Sequence, residues 1–344
     1  MSAGFRAVQW NRHKLVYDAL ALGAVGLYLA SYLLLAALTG SQITWETQRL
    51  RAFGSCAFLL LTLILSIGPL ARLDRRFLPL LYNRRHLGVL TFLVALCHAV
   101  LVLDWYHGHG VIDPLLSLLT GNSHYGRFPG FPFETLGLLA LAILYVMAAT
   151  SHDFWLGYLS PPIWKAIHMA VYLAYGLLVM HVALGALQED RDLLLPILLG
   201  ASVLVVTTLH ILASRREALV DAGTAFEAGW LPVGPPDSIA EGRARIVVPP
   251  AGERIAVFRH QGRLSAVSNV CAHQNGPLGE GRIIDGCITC PWHGFQFRPE
   301  DGCSPPPFTD KIPTYRLRLE RGVVQVDPTP LPPGTPVAPL PVEG

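Results

Sequence analysis

Cys271-Ala272-His273 and Cys290-Pro291-Trp292-His293 are the stretches of this 344-residue chain best suited to do chemistry. Each offers one thiolate and one imidazole, and sixteen residues separate His273 from Cys290. Two Cys and two His would satisfy tetrahedral zinc, but structural zinc sites pair like residues as C-x2–4-C and H-x3–5-H. The C-x-H…C-x2-H order instead suits a [2Fe–2S] cluster, with two thiolates on one iron and two imidazoles on the other. Imidazole ligation raises the potential above that of an all-thiolate cluster, to roughly −150 to +300 mV. The expected metal ligands are therefore Cys271, His273, Cys290 and His293, and the expected chemistry is transfer of single electrons.

The surrounding residues, "NVCAHQNGPLGEGRIIDGCITCPWHGFQF", resemble the Rieske ferredoxin family through both ligand loops. The likeness extends from about Trp230 to Val326 and includes the strand-like runs "RIVV", "IAVF", "LSAV" and "VVQV". Alternating short strands with Gly/Pro turns argue for a small antiparallel β domain. The resemblance implies a sandwich with both ligand loops at one tip. High-potential members of the family carry an extra Cys in each loop, joined as a disulfide; Gly276 and Trp292 stand at those positions here. The serine that donates to a cluster sulfur in such proteins is replaced by Phe295. Fewer donors to sulfur favour the oxidised cluster, so the low end of the potential range is expected. Cys287 and Cys303 read as ordinary small residues, and a chain without a disulfide framework suits a reducing compartment.

These ligands need a scaffold, and the rest of the chain is very different from the β domain. The sequence is 52% hydrophobic and 15% charged, with six apolar runs at about 16–38, 52–71, 86–103, 133–150, 164–187 and 193–213. Most approach the ~20 residues needed to cross a bilayer. No cleavable signal pattern stands out, so the first run is kept as a span. With the N-terminus inside, eleven Lys/Arg flank the inner ends of the runs and four flank the outer ends. The positive-inside rule then places both termini and the β domain in the cytoplasm. The net charge of +2 gives no reason to expect nucleic acid.

Ionisable residues within a span are functional candidates by default. His86 and His98 lie in the third run and His168 and His181 in the fifth. Each pair is separated by about 18–20 Å of helix, giving an inner and an outer level at which facing imidazoles could ligate b-type haem. Twelve or thirteen helical steps do not return to the same face, so a tilt, side-chain reach or a kink near Gly176 must absorb the offset. "RRHLGVLTFLVALCHAVLVL" and "IWKAIHMAVYLAYGLLVMHVAL" are similar to spans three and five of ferric-reductase-like membrane domains, such as the haem subunit of the methionine-sulfoxide reductase system. That resemblance, over about residues 50–190, implies haem ligation by His98, His168 and His181. His86 follows Arg84-Arg85, where nearer relatives often have an aliphatic residue. His210 reads as structural, and His107, His109, His124 and His152 as ordinary loop histidines. The resemblance also implies a cytosolic flavin and NAD(P)H module, but no G-x-G-x-x-G element is present. Nor does a second His/His/carboxylate iron site follow the β domain, as a complete Rieske oxygenase would need.

The expected fold is thus a membrane all-α six-helix bundle over residues 1–214, a linker over 215–225, a small all-β Rieske domain over 226–327 and a Pro-rich disordered tail over 328–344. The expected function is electron transfer between the [2Fe–2S] cluster and one or two haems b. A cytosolic flavin-dependent reductase would be the donor, and an unidentified acceptor would lie outside. The alternative is a membrane-tethered Rieske ferredoxin serving a cytosolic oxygenase, its membrane part a passive anchor in lipid.

Overall fold

The structure is a computed structural model describing residues 12–39, 43–81, 83–127, 130–151, 155, 159, 161–189, 193–222, 229–273, 275–292, 294–306 and 308–342. These fall into two compact units. One takes in the helices through Leu70 and from Asn83 to Ile211; the other takes in the short connection after Leu70 and everything from Leu212 onward.

The helices are α1 (Arg12–Leu38), α2 (Trp45–Leu73), α3 (Arg84–Val102), α4 (Pro114–Thr120), α5 (Phe133–Ala149), α6 (Pro161–Met169), α7 (Val171–Leu184) and α8 (Leu194–Ala222), the first unit taking α2 through Leu70 and α8 through Ile211. Among the described residues, five helical stretches are long and apolar enough to cross a membrane: Lys14–Leu38, Trp45–Leu73, Arg84–His107, Ile163–Gln188 and Leu194–Ala218. The remaining apolar run, α5, has 17 residues, about 25 Å of helix against a ~30 Å hydrocarbon core. The six-span expectation therefore rests on five full-length helices and one short one. Half of the apolar window of α2 is buried, against 17% or less in the other four, so α2 is the element around which the rest pack. Phe58, Leu61 and Leu65 of α2 meet Ala140 and Leu144 of α5, Ala174 and Tyr175 of α7, and Leu199 and Val206 of α8. Helices apolar all round, with exposed residues such as Leu20, Leu27 and Leu204, are what a lipid surrounding selects.

Two features differ from expectation. The break between His168 and His181 falls at Ala170, between α6 and α7, while Gly176 lies inside an unbroken α7. The segment expected as a linker is helical through Ala222, because Arg215-Arg216-Glu217-Ala218-Leu219 contains no helix breaker. Residues 223–225 lie outside the described residues.

The β domain has three antiparallel sheets. The largest runs β11 (Leu340–Pro341), β4 (Arg263–Ser268), β3 (Ile255–His260), β2 (Ala244–Val247), with β8 (Thr314–Tyr315) also on β4. The second orders β1 (Leu231–Gly234), β10 (Val323–Val326), β9 (Leu317–Glu320), and the third β5 (Arg282–Ile284), β6 (Cys287–Thr289), β7 (Gln296–Phe297). Three two-residue hairpin turns, Gln261-Gly262, Asp285-Gly286 and Arg321-Gly322, have positive φ at both positions, the geometry that matches strand twist. Strand alternation makes β3 a wall between two cores. Ile255 and Val257 face one, with Leu231, Leu264, Tyr315 and Val324. Ala256 and Phe258 face the other, with Leu278, Ile288, Phe297 and both Cys271 and Cys290.

The Pro-rich stretch is not the disordered tail expected from composition. Leu340 and Pro341 pair with Leu264 and Arg263, Val342 is buried in the first core, and the Thr314 hydroxyl donates to the Thr335 carbonyl at 2.8 Å. Proline is compatible with an outermost strand, where a missing N–H faces outward, and its fixed φ lowers the ordering cost of an extended strap.

Deleting residues 328–344 should lower the unfolding temperature of the β domain and promote aggregation through the uncovered β4 edge. Loss of one buried Val alone is worth about 1.5–3 kcal/mol; an unchanged calorimetric transition would contradict this account. A second expectation concerns Asp301, in the turn after β7. Burial alone would push its carboxyl up, but the Arg298 guanidinium (Nε to carboxylate 3.1 Å) and the Cys303 amide (2.9 Å) hold it below its usual range. A depressed folded value means stability that is present above the unfolded pKa of about 3.9 and lost as pH falls through the folded value. Asp301→Asn should therefore be less stable than wild type at neutral pH, and the two should converge in strong acid, as thermal melts across pH will read.

Candidate functional site

The two ligand loops are built on one plan. The first follows β4, and the second joins β6 to β7. In each, the cysteine amide donates to the carbonyl five residues on: Cys271 to Gly276 at 2.9 Å and Cys290 to Phe295 at 2.8 Å. In each, the cysteine carbonyl accepts from the residue four on, Asn275 at 2.8 Å and Gly294 at 3.0 Å. Those two residues, Asn275 and Gly294, have φ of 58° and 71°, the left-handed region that Gly and Asn tolerate. The first loop is also tied down by Asn269, whose side-chain oxygen accepts from the Gly279 amide at 2.7 Å. Cys271 and Cys290 are 0% and 2% exposed, so the expected thiolate ligands are core residues shielded from solvent and exchange. All six cysteines of the chain are free of disulfides. His293 lies outside the described residues.

The loops cover one another. A Cβ on Gly276 would come within 2.7 Å of the Cys290 sulfur and 3.2 Å of the Trp292 ring. The position that bears a bridging cysteine in high-potential relatives thus has no room here for any side chain. From the other side, Phe295 lies parallel to His273, 5.0 Å between ring centres and 6° between planes. Phe308 backs Phe295 at 4.8 Å. Buried soft donors, a closely fitted glycine and an imidazole fixed by a stacked ring suit a [2Fe–2S] group. Cys287 and Cys303 stand apart from the loops, in β6 and beside Lys311; burial pushes the Cys287 thiol up, away from the thiolate form.

In the helical unit, His98 on α3 and His181 on α7 come together, 6.5 Å between ring centres with planes at 82°. His98 Nδ1 donates to the Leu50 carbonyl and His181 Nδ1 to the Phe133 carbonyl, each at 2.9 Å. A carbonyl can only accept, so both rings carry their proton on Nδ1 and present the Nε2 lone pair. Two imidazole nitrogens on one metal lie roughly 4 Å apart, which puts ring centres about 6 Å apart. The donor set and spacing therefore fit a metal-containing group that His98 and His181 would hold together. Phe133 adds a ring contact to His181 at 5.4 Å.

The inner histidines are not brought together in this way. His86 Nδ1 donates to the Asp18 carboxylate of α1 at 2.7 Å, and the Asn83 amide donates to the same carboxylate at 2.6 Å. His168 Nδ1 donates to the Trp164 carbonyl at 3.0 Å. Its ring stacks on Trp164 at 3.7 Å, and its Nε2 lies 3.4 Å from the Ser151 hydroxyl. The sequence signalled four histidines at two depths; it did not signal Asp18, which an ionisable residue inside an apolar run should have flagged. His210 bonds Tyr172 at 3.0 Å and the Val206 carbonyl at 2.8 Å, a helix-to-helix tie. In the connection between α3 and α5, His107 Nδ1 lies 3.1 Å from the Ser117 hydroxyl, His109 packs on Trp105, and His124 caps onto Asn122. His152 lies outside the described residues.

Comparison with known proteins divides the chain at the same place. The Rieske [2Fe-2S] domain family matches residues 229–316, and the ferric reductase like transmembrane component matches residues 51–179. Anthranilate 1,2-dioxygenase ferredoxin subunit of Burkholderia cepacia is 35% identical over 104 residues, 29% of this chain and 93% of that protein. Cholesterol 7-desaturase nvd 1 of Ciona intestinalis is 32% identical over 108 residues, 31% of this chain. The chain spans only 23% of that desaturase and 15% of its Xenopus laevis counterpart. Among solved structures, Sphingomonas yanoikuyae B1 ferredoxin is matched over 98% of its length and 29% of this chain, with 28% identity and a TM-score of 0.27. The chain belongs to the Rieske [2Fe–2S] family through its C-terminal domain, which is joined to a ferric-reductase-like transmembrane component.

Proposed function

We propose that this protein passes single electrons between a Rieske cluster on the cytoplasmic side and a b-type haem in the membrane, toward an acceptor outside. The observation that carries the reading is the His98–His181 pair, with both Nδ1 atoms anchored on backbone carbonyls and ring centres 6.5 Å apart. Cys271, His273, Cys290 and His293 would hold the cluster, and His98 and His181 the haem; these groups supply the one-electron chemistry. The chain contributes ligands, fixed ring orientations, insulation by apolar helices and exclusion of water from both thiolates. His98 and His181 are the pair whose rings lie together, so the proposal commits to a haem at that level; His86 and His168 are likewise held on Nδ1, by Asp18 and the Trp164 carbonyl. The distribution of Lys and Arg supports a cytoplasmic β domain, and a soluble flavin-dependent reductase is the donor that such a placement calls for.

A second reading keeps the membrane half as an anchor for a ferredoxin that serves an oxygenase. The match to 93% of a dioxygenase ferredoxin subunit favours it. The optical spectrum of the purified protein separates the two. Reduced b-haem bands beside the Rieske EPR signal are expected, and their absence leaves only the tethered ferredoxin.

His98→Ala and His181→Ala should each abolish the haem bands while the Rieske EPR signal keeps its wild-type intensity; full haem content in both variants refutes the ligand assignment. Gly276→Ala should do the converse. Its Cβ would press on the Cys290 sulfur, so iron and sulfide content should fall sharply with haem retained, as metal analysis of the same preparation will report.

A further inference from the structure

Leu50 and Phe133 are the backbone partners of His98 and His181, and each is followed four residues later by a glycine. In a helix the amide of residue i+4 already bonds the carbonyl of residue i. A third group reaches that carbonyl only if the side chain at i+4 leaves the approach open. Gly54 stands four residues after Leu50 in α2, and Gly137 four residues after Phe133 in α5. A Cβ on Gly54 would lie 2.9 Å from His98 Cε1 and 3.0 Å from Nδ1. A Cβ on Gly137 would lie 2.9 Å from both Cε1 and Nδ1 of His181. Two unrelated helices thus present the same arrangement to two histidines: an open carbonyl, a missing side chain, and an imidazole N–H seated in the gap.

We infer that Gly54 and Gly137 are positioning residues for the haem ligands, exposing one helical carbonyl each so that His98 and His181 are held on Nδ1 and present Nε2 to the metal. The inference rests on the proposed haem at this pair. A glycine in a helix interior costs roughly 1 kcal/mol against alanine, so helix propensity by itself opposes both residues. Among the other glycines in the spans, none meets an imidazole ring: a Cβ at Gly185 would meet the Phe133 ring and the His181 carbonyl, one at Gly68 the Arg84 guanidinium, and one at Gly88 of α3 or at Gly176 of α7 meets nothing within 4 Å. The contrast assigns the contact to the histidines and not to close helix packing in general.

The test uses the full-length protein in detergent, with Gly54→Ala and Gly137→Ala compared against Gly88→Ala and Gly176→Ala. Hydrogen-bond partners of metal-bound histidines typically contribute 10–100-fold in metal affinity. Both positioning variants should lose haem affinity by that factor and shift the EPR signal of the remaining oxidised haem. The Rieske signal and helical circular dichroism should stay at wild-type levels. Alanine favours the helix at all four sites, so the control variants should keep wild-type haem. The two sites are independent, and either variant that folds decides the question. Wild-type haem affinity and EPR in the folded Gly54 and Gly137 variants overturns the inference, as does equal haem loss in the Gly88 and Gly176 controls. Failure of the haem reading itself is distinguishable, because the wild-type protein would then show no haem bands at all.

Discussion

A buried imidazole nitrogen in lipid has no water to turn to, and the organisation of the helical half answers to that constraint. Each ring N–H must find a protein acceptor or be left at a cost of a few kcal/mol. Within a helix almost every carbonyl is already engaged, so the acceptor has to be shared with the i+4 amide. Leu50 and Phe133 provide such carbonyls, and Asp18 provides a carboxylate for His86. The consequence is chemical as well as structural. With Nδ1 committed as donor, Nε2 is fixed as the lone-pair nitrogen, and the ring cannot flip without breaking a hydrogen bond. Satisfying the backbone constraint and preparing a metal ligand are the same act.

The β half solves the corresponding problem for sulfur. Cys271 and Cys290 belong to the same core as Phe258, Leu278, Ile288 and Phe297. Their loops repeat one hydrogen-bonding plan, with a left-handed residue four positions after each cysteine. Rigid loops over a packed core hold soft ligands without a disulfide, and the fit of Gly276 under Cys290 and Trp292 leaves no space for one. Packing holds the loops here, with Phe295 over His273 as the counterpart of the Gly276 contact.

Much of this was legible in the sequence, and what was not has physical reasons. The order and spacing of Cys271, His273, Cys290 and His293 point to a cluster because each loop pairs one Cys with one His, whereas zinc sites of the same donor set pair like residues. The six apolar runs coincide with helices because lipid permits little else, although α5 proves shorter than a full span. The strap over 328–342 was misread because composition reports intrinsic flexibility, whereas Leu340 and Val342 gain their order from pairing with β4 and a core formed far away in sequence. Of the three ways to absorb the offset between His168 and His181 (tilt, reach or a kink near Gly176), the helix at Gly176 is unbroken and an interruption falls at Ala170, a position that propensity does not mark. Depth and the family resemblance suggest an inner level at His86 and His168, with His86 the less secure of the two. Depth is readable from sequence, but which face His86 turns depends on Asp18, sixty-eight residues earlier.

These features bear on whether the membrane half is merely an anchor. A tether needs one apolar helix of about 20 residues, and this chain has five long enough, packed around a half-buried α2. An anchor also gains nothing from ionisable residues in its interior, which are expensive there. His98 and His181 nevertheless meet across two helices, at a spacing that suits one metal between them, each held on its Nδ1 by a carbonyl that a glycine leaves open. Gly54 and Gly137 both run against helix propensity, and an inert bundle would be more stable with alanine at each. Four residues that lower the stability of an anchor, placed so that each glycine admits an imidazole and each imidazole is held on Nδ1 with its ring 6.5 Å from the other, are out of place in a passive anchor and suited to ligand binding.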